Sequence, residues 1–150
     1  MPVVHSLLQV GEELAALAPS LSAEQLWAKP GGAPSLGFHV THLAGSLDRL
    51  LTYARGESLN DRQRAALEAE DSSEAGSRSV VALFQLAQEA IDEAIAQVRA
   101  TPVESLDAAR AVGRAALPST VRGLLFHAAE HTQRHAGQII TTARVVGARR

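Results

Sequence analysis

The chain contains no cysteine. Disulfides, thiolate metal sites and a cysteine nucleophile are therefore excluded, and any bound metal must be held by histidine, carboxylate, carbonyl or water. Aromatic residues are scarce, with one Trp, one Tyr and three Phe in 150 residues. That is thin provision for a surface that stacks on nucleic-acid bases. No apolar run is long enough to span a bilayer. The first residues, with Glu12 and Glu13 arriving early, have no basic segment followed by an apolar one, so the expected location is the cytoplasm. Neither nucleic acid nor membrane is expected as a partner. There is no internal repeat, no low-complexity tract and no convincing strand.

What is present reads as an ordinary globular chain, 46% hydrophobic and 20% charged. It is expected to form one domain over residues 1–150 that buries about two-thirds of its unfolded surface. The net charge of −2 conceals an asymmetry: residues 1–107 carry seven basic and fifteen acidic side chains, and residues 108–150 carry seven and one. The basic side chains are dispersed. The simplest account is a basic last helix beside acidic ones, and the same two parts can attract across the two-fold axis of a homodimer.

Helical periodicity runs through the chain. Val3, Leu7, Val10, Leu14 and Leu17 stripe a first helix that Pro19 ends. Ser22 to Gln25 has capping-box spacing and opens one short turn through Trp27. Residues 29–34 form a loop. Ser35 caps a second long helix to about Arg55, striped by Leu36, Val40, Leu43, Leu47, Leu50 and Ala54, with Gly56 as its stop. A short helix over Asp61–Ala69 precedes the most loop-like stretch, residues 72–77. A third long helix runs from about Ser79 to Arg99, striped by Val80, Phe84, Ala87, Ile91, Ile95 and Val98, and Thr101-Pro102 ends it. After a weakly patterned connection over residues 103–117, Pro118-Ser119-Thr120 leads into a last helix to about Val146. Four long amphipathic helices predict an all-α four-helix bundle with long loop connections.

The last helix carries His127, His131 and His135, half of the six histidines, four residues apart. At 100° per residue His131 and His135 fall within about 20° of the stripe set by Leu124, where leucines belong, while His127 lies at the border. Buried imidazoles need partners. Backbone groups or buried water are one kind. A metal ion is another, since imidazoles four apart on a helix can converge on it. A third ligand from the second helix, His42 or His39, then completes a site with an open position; periodicity alone makes His39 the more inward of the two. His127 to His131 also matches the H-x-x-E-H zinc-protease signature. Glu130 points about 100° away from His131, however, and no Asp or Glu follows it, which rules against that chemistry. A ferritin-like di-iron site needs Glu-x-x-His pairs that the sequence lacks. No acid or base identifies itself as belonging to the site.

The stretches FHVTHLAGSLDRLLTYARGESL and HAAEHTQRHAGQII, with Trp27 and Pro30 leading into the second helix, resemble the DinB-like family of bacterial four-helix bundles, also called YfiT-like metal proteins and distinct from the DNA polymerase that shares the name. The family pattern has a histidine before Leu or Ile in the second helix, and an H-x-x-x-H pair running into Gly-Gln-Ile in the fourth. The resemblance thus implies His42, His131 and His135 as metal ligands, with His39 and His127 as pocket neighbours. It implies a divalent ion, nickel or zinc, and frequently a dimer. It also implies a low-molecular-weight thiol, such as bacillithiol or mycothiol, as co-substrate with a small electrophile. The resulting expectation is a thiol-dependent S-transferase or isomerase. The alternatives are a non-catalytic or stress-associated metal-binding dimer and a metal-dependent hydrolase. Arg134 and Gln138 flank the pair and are expected to orient an anionic cofactor. Gly45 and Gly137 are expected to allow close approach of a helix or a ligand.

Overall fold

A computed structural model describes residues 1–70 and 78–147; the loop expected over residues 72–77 lies outside them. Six α-helices form among the described residues: α1 Pro2–Leu17, α2 Ala23–Trp27, α3 Leu36–Arg55, α4 Asp61–Ala69, α5 Val80–Ala100 and α6 Val121–Gly147. Local chemistry sets most of their ends. Ser22 and Asn60 head capping boxes, each closed by a glutamine at the third helical position. Ser35 and Ser79 accept the backbone N–H groups of Phe38 and Ala82. Gly56 ends α3 in the left-handed conformation, at φ 83°.

The four long helices make the bundle. α3 packs against α5 and α6, and α1 packs against the same two. Consecutive long helices α1 and α3 therefore lie diagonally opposite each other. Leu7, Val10, Leu43, Leu47, Ile91 and Ile139 are almost fully buried at the centre. No helix among the described residues is long and apolar enough to cross a membrane.

The expectation of no strand is corrected. Residues 109–112 and 117–120 pair antiparallel as β1 and β2. Each strand has four residues and β2 contains Pro118, so no alternation is long enough to be read from the sequence. The four-residue turn uses positive φ at Gly113 and Ala116. The hairpin has two tasks. Arg110 donates from Nε to the Ala54 carbonyl at 2.8 Å, satisfying a free C=O at the end of α3. Thr120 accepts the Gly123 N–H at 3.0 Å and so caps α6.

Before α3, the Trp27 ring lies flat against Gly37. A Cβ added at Gly37 would stand 2.3 Å from the ring. At Gly137, where the sequence suggested close approach, nothing lies within 4 Å of the same added atom. The two glycines therefore have opposite meanings. Gly37→Ala is expected to destabilise the protein by about 1–3 kcal/mol through overpacking. Gly137→Ala is expected to stabilise it by about 0.5–1 kcal/mol as an ordinary helix substitution. Urea unfolding of the two variants checks both signs.

Candidate metal centre

α3 presents His39, His42, Ser46 and Arg49 at spacings of three, four and three, which places them along one face. α6 lies against that face and presents His131 and His135. The result is a group of imidazoles between two helices. His42, His131 and His135 have ligand atoms that all lie within 4.8 Å of one another. Their ring centroids are 4.6 to 5.2 Å apart.

The protein engages one nitrogen of each ring. Nδ1 of His42 lies 2.6 Å from Glu70 Oε2. An ionised carboxylate only accepts, so this nitrogen carries the proton and Nε2 keeps its lone pair. Nδ1 of His131 lies 3.2 Å from Ser46 Oγ. The Ser46 hydroxyl donates its own proton to the Leu43 carbonyl, which leaves Oγ to accept from His131. Nδ1 of His135 lies 3.1 Å from Nδ1 of His39. Nε2 of His42 and of His131 thereby keeps its lone pair, and Nε2 of His135 does so in the tautomer whose Nδ1 donates to His39; three such nitrogens are the donor set that imidazole-bound divalent ions take.

The electrostatics agree with neutral rings. Burial first, then the neighbouring His42, His131, His39 and Arg134, push His135 down to about 4. Burial followed by the nearby positive groups also lowers His131 and His39. Glu70 is buried, which favours its neutral form, but the hydrogen bonds from His42 and Arg49 outweigh that and hold its pKa below the usual carboxylate range.

Depth and convergence turn out to be separate properties. His39 is the more buried helix-three histidine, at 6% exposure against 23% for the His42 side chain. Yet His39 turns to His135, and His42 meets the pair. His131, which the periodicity places near the stripe centre, is half-buried. His127 is exposed and bonds Glu130 at 3.1 Å. Arg134 is exposed and paired with Glu130, and Gln138 is exposed as well. Glu130 is thus committed to its own helix surface.

Two residues that the sequence did not single out adjoin the cluster. Glu70, in the cap of α4, bridges His42 and Arg49, each at 2.6 Å. Ser46 supports His131. Helical spacing from His42 and His39 marks Ser46 and Arg49, but nothing local marks Glu70. A cavity of about 860 Å³ between α3, α4 and α5 reaches Glu70 and Gly45, and no histidine lines it.

Comparison with known proteins follows the same lines. A model of the DinB superfamily matches residues 6–139. Among solved structures, YfiT from Bacillus subtilis, described as a probable metal-dependent hydrolase with an unusual four-helix bundle topology, matches with a TM-score of 0.74 and 17% identity. The match covers 97% of this chain and 86% of YfiT. At that identity the likeness is one of fold. No curated protein matches.

The depressed His135 has a consequence for stability. Its folded pKa lies below the ordinary histidine value of about 6.5, so the unfolded chain takes up this proton first. The associated stability is fully present above about pH 6.5 and is lost as pH falls towards about 4. Urea midpoints of the metal-free protein are expected to drop across that interval, and His135→Gln to flatten the drop. A midpoint independent of pH there would contradict a ring held neutral by burial.

Proposed function

The chain belongs to the DinB superfamily, and from that premise we propose that it is a divalent-metal-dependent enzyme transferring a small nucleophile to a small electrophile, with His42, His131 and His135 holding the ion. The observation that carries this reading is the convergence of three imidazoles from two helices, each already tied at Nδ1. When bound, a divalent ion such as nickel or zinc supplies Lewis acidity, lowering the pKa of a thiol or water in the position the histidines leave free. Only three protein ligands gather among the described residues, the arrangement of catalytic sites in preference to closed structural ones.

The thiol reading draws on the charge of the site. Three neutral imidazoles leave the charge of a cation uncompensated, which suits an anionic sulfur. The absence of cysteine means that this sulfur comes from a low-molecular-weight thiol. Phe38 stacks on His42, with centroids 5.7 Å apart, and holds that ring against rotation. Arg134 and Gln138 remain the side chains proposed to orient an anionic thiol cofactor, from the exposed rim of α6. A second reading, in which water is the nucleophile and the reaction a hydrolysis, is favoured by the description of YfiT.

Metal binding, turnover and solution mass test these proposals. Metal analysis and calorimetry are expected to give one nickel or zinc ion per chain. His131→Ala and His135→Ala should abolish stoichiometric binding while His5→Ala leaves it intact. Full retention in the double variant would remove the metal reading. The loaded protein is then assayed for conjugation with a panel of thiols and electrophiles, and for hydrolysis of activated esters and amides, with His42→Ala as the inactive control. Conjugation supports the first reading; hydrolysis without thiol supports the second. The opposed charges of the two parts of the chain support the proposal of a homodimer, which light scattering checks by mass.

A further inference from the structure

Among the described carboxylates Glu70 stands out because it is buried, at 6% exposure. Each of its oxygens faces one donor, Oε2 to His42 and Oε1 to Arg49. A buried ionised side chain persists only when its acceptors are satisfied, and here both are. We propose that Glu70 is a positioning residue for the metal centre: its carboxylate holds His42 as an Nε2 ligand, and α4 is the arm that carries it there. The inference rests on the reading of His42 as a ligand.

Three observations converge on it. First, α4 is not held by an apolar face. Within Asp61–Ala69 the buried residue is Gln63, whose amide donates to Asp48 Oδ2 at 2.9 Å and Thr52 Oγ1 at 2.8 Å on α3. Polar contacts to α3 thus fasten this helix, and Glu70 follows in its C-terminal cap. Second, Gly45 clears the space. A Cβ there would stand 2.7 Å from both Arg49 Nη1 and Glu70 Oε1, so any side chain would push the pair apart. The close approach at this glycine belongs to an ion pair, not to a neighbouring helix or ligand. Third, the chemistry of the carboxylate is directional. With no proton to give, it forces the proton of His42 onto Nδ1 and turns the lone pair of Nε2 towards His131 and His135. Carboxylates behind metal-bound histidines fix ring orientation and raise ligand basicity in the same way.

A plain structural tether predicts something different. If Glu70 served only to pin α4 through Arg49, the state of His42 would not depend on it. Glu70→Gln separates the two, because an amide has one acceptor oxygen for two donors. The charged guanidinium of Arg49 is the stronger donor and keeps that oxygen, so the amide N–H₂ faces His42 and forces the proton onto Nε2.

The experiment combines long-range proton–nitrogen NMR of the histidine rings in the metal-free protein with a cobalt titration followed by visible absorption. In the wild type, His42 is expected to carry its proton on Nδ1. In Glu70→Gln that population is expected to shift, cobalt affinity to fall by about 10–100-fold and the absorption bands to move. A proton on Nε2 of wild-type His42 overturns the proposal without needing any variant, so a poorly folded variant does not shield it. Equal cobalt affinity and an identical spectrum in a Glu70→Gln protein with native circular dichroism overturn the proposal alone and leave the metal reading standing. Absence of cobalt binding by the wild type overturns the metal reading and this inference with it.

Discussion

Four imidazoles packed between two helices must each be hydrogen-bonded, and much of the local structure follows from that requirement. Removing a polar ring from water is unfavourable unless each buried nitrogen finds a partner. Here the partners differ in kind: a carboxylate for His42, a hydroxyl for His131, and a fourth imidazole for His135. His39 therefore contributes by occupying the rear of His135. The carboxylate and the hydroxyl also restrict which nitrogen can carry the proton, so hydrogen bonding that satisfies burial simultaneously selects the face those rings present to a ligand. The same chemistry that makes the rings tolerable in the core makes them available as electron-pair donors.

The carboxylate among these partners imposes a second layer of constraint. An ionised Glu70 beside a single histidine would carry an unbalanced buried charge; Arg49 supplies the balance from one face of the same helix. Two long side chains meeting there need room, and a residue without a Cβ at position 45 provides it. The capping box at Asn60 and the amide of Gln63 then fix the start and the seat of α4. A polar segment of modest apolar content acquires a defined position because its few buried groups each have a specific counterpart.

The parts of this architecture that are legible in the sequence are those written locally. Ser22, Ser35 and Ser79 mark helix starts because a side-chain oxygen three residues before an N–H needs no tertiary context. The apolar stripes of α1, α3, α5 and α6 are legible for the same reason. The hairpin is not, since its four-residue strands obtain their pairing from a turn and from Arg110 reaching the end of α3. Glu70 is not, because it arrives from a polar stretch 28 residues beyond His42 and nothing in that stretch announces the encounter. The rivalry between His39 and His42 shows a subtler limit. Helical periodicity measures how deep a side chain points, whereas convergence on one point depends on how a second helix lies across the first. The resemblance carried by the histidine-Leu and histidine-Gly-Gln-Ile patterns supplies that missing information.

Trp27 is the chain's sole tryptophan, its ring rests on the bare α-carbon of Gly37, and its indole nitrogen is buried with no hydrogen-bond partner among the described residues. The protein's ultraviolet emission under selective excitation thus originates from a single indole in contact with α3, two residues before His39. The emission of such a half-buried indole shifts red as more water or a polar group reaches the ring. Any displacement of α2 on α3, or of α3 along its own axis, is consequently recorded in the colour of that emission. The molecule carries its own optical gauge of the helix that bears His42, with no label to attach and no second tryptophan to disentangle.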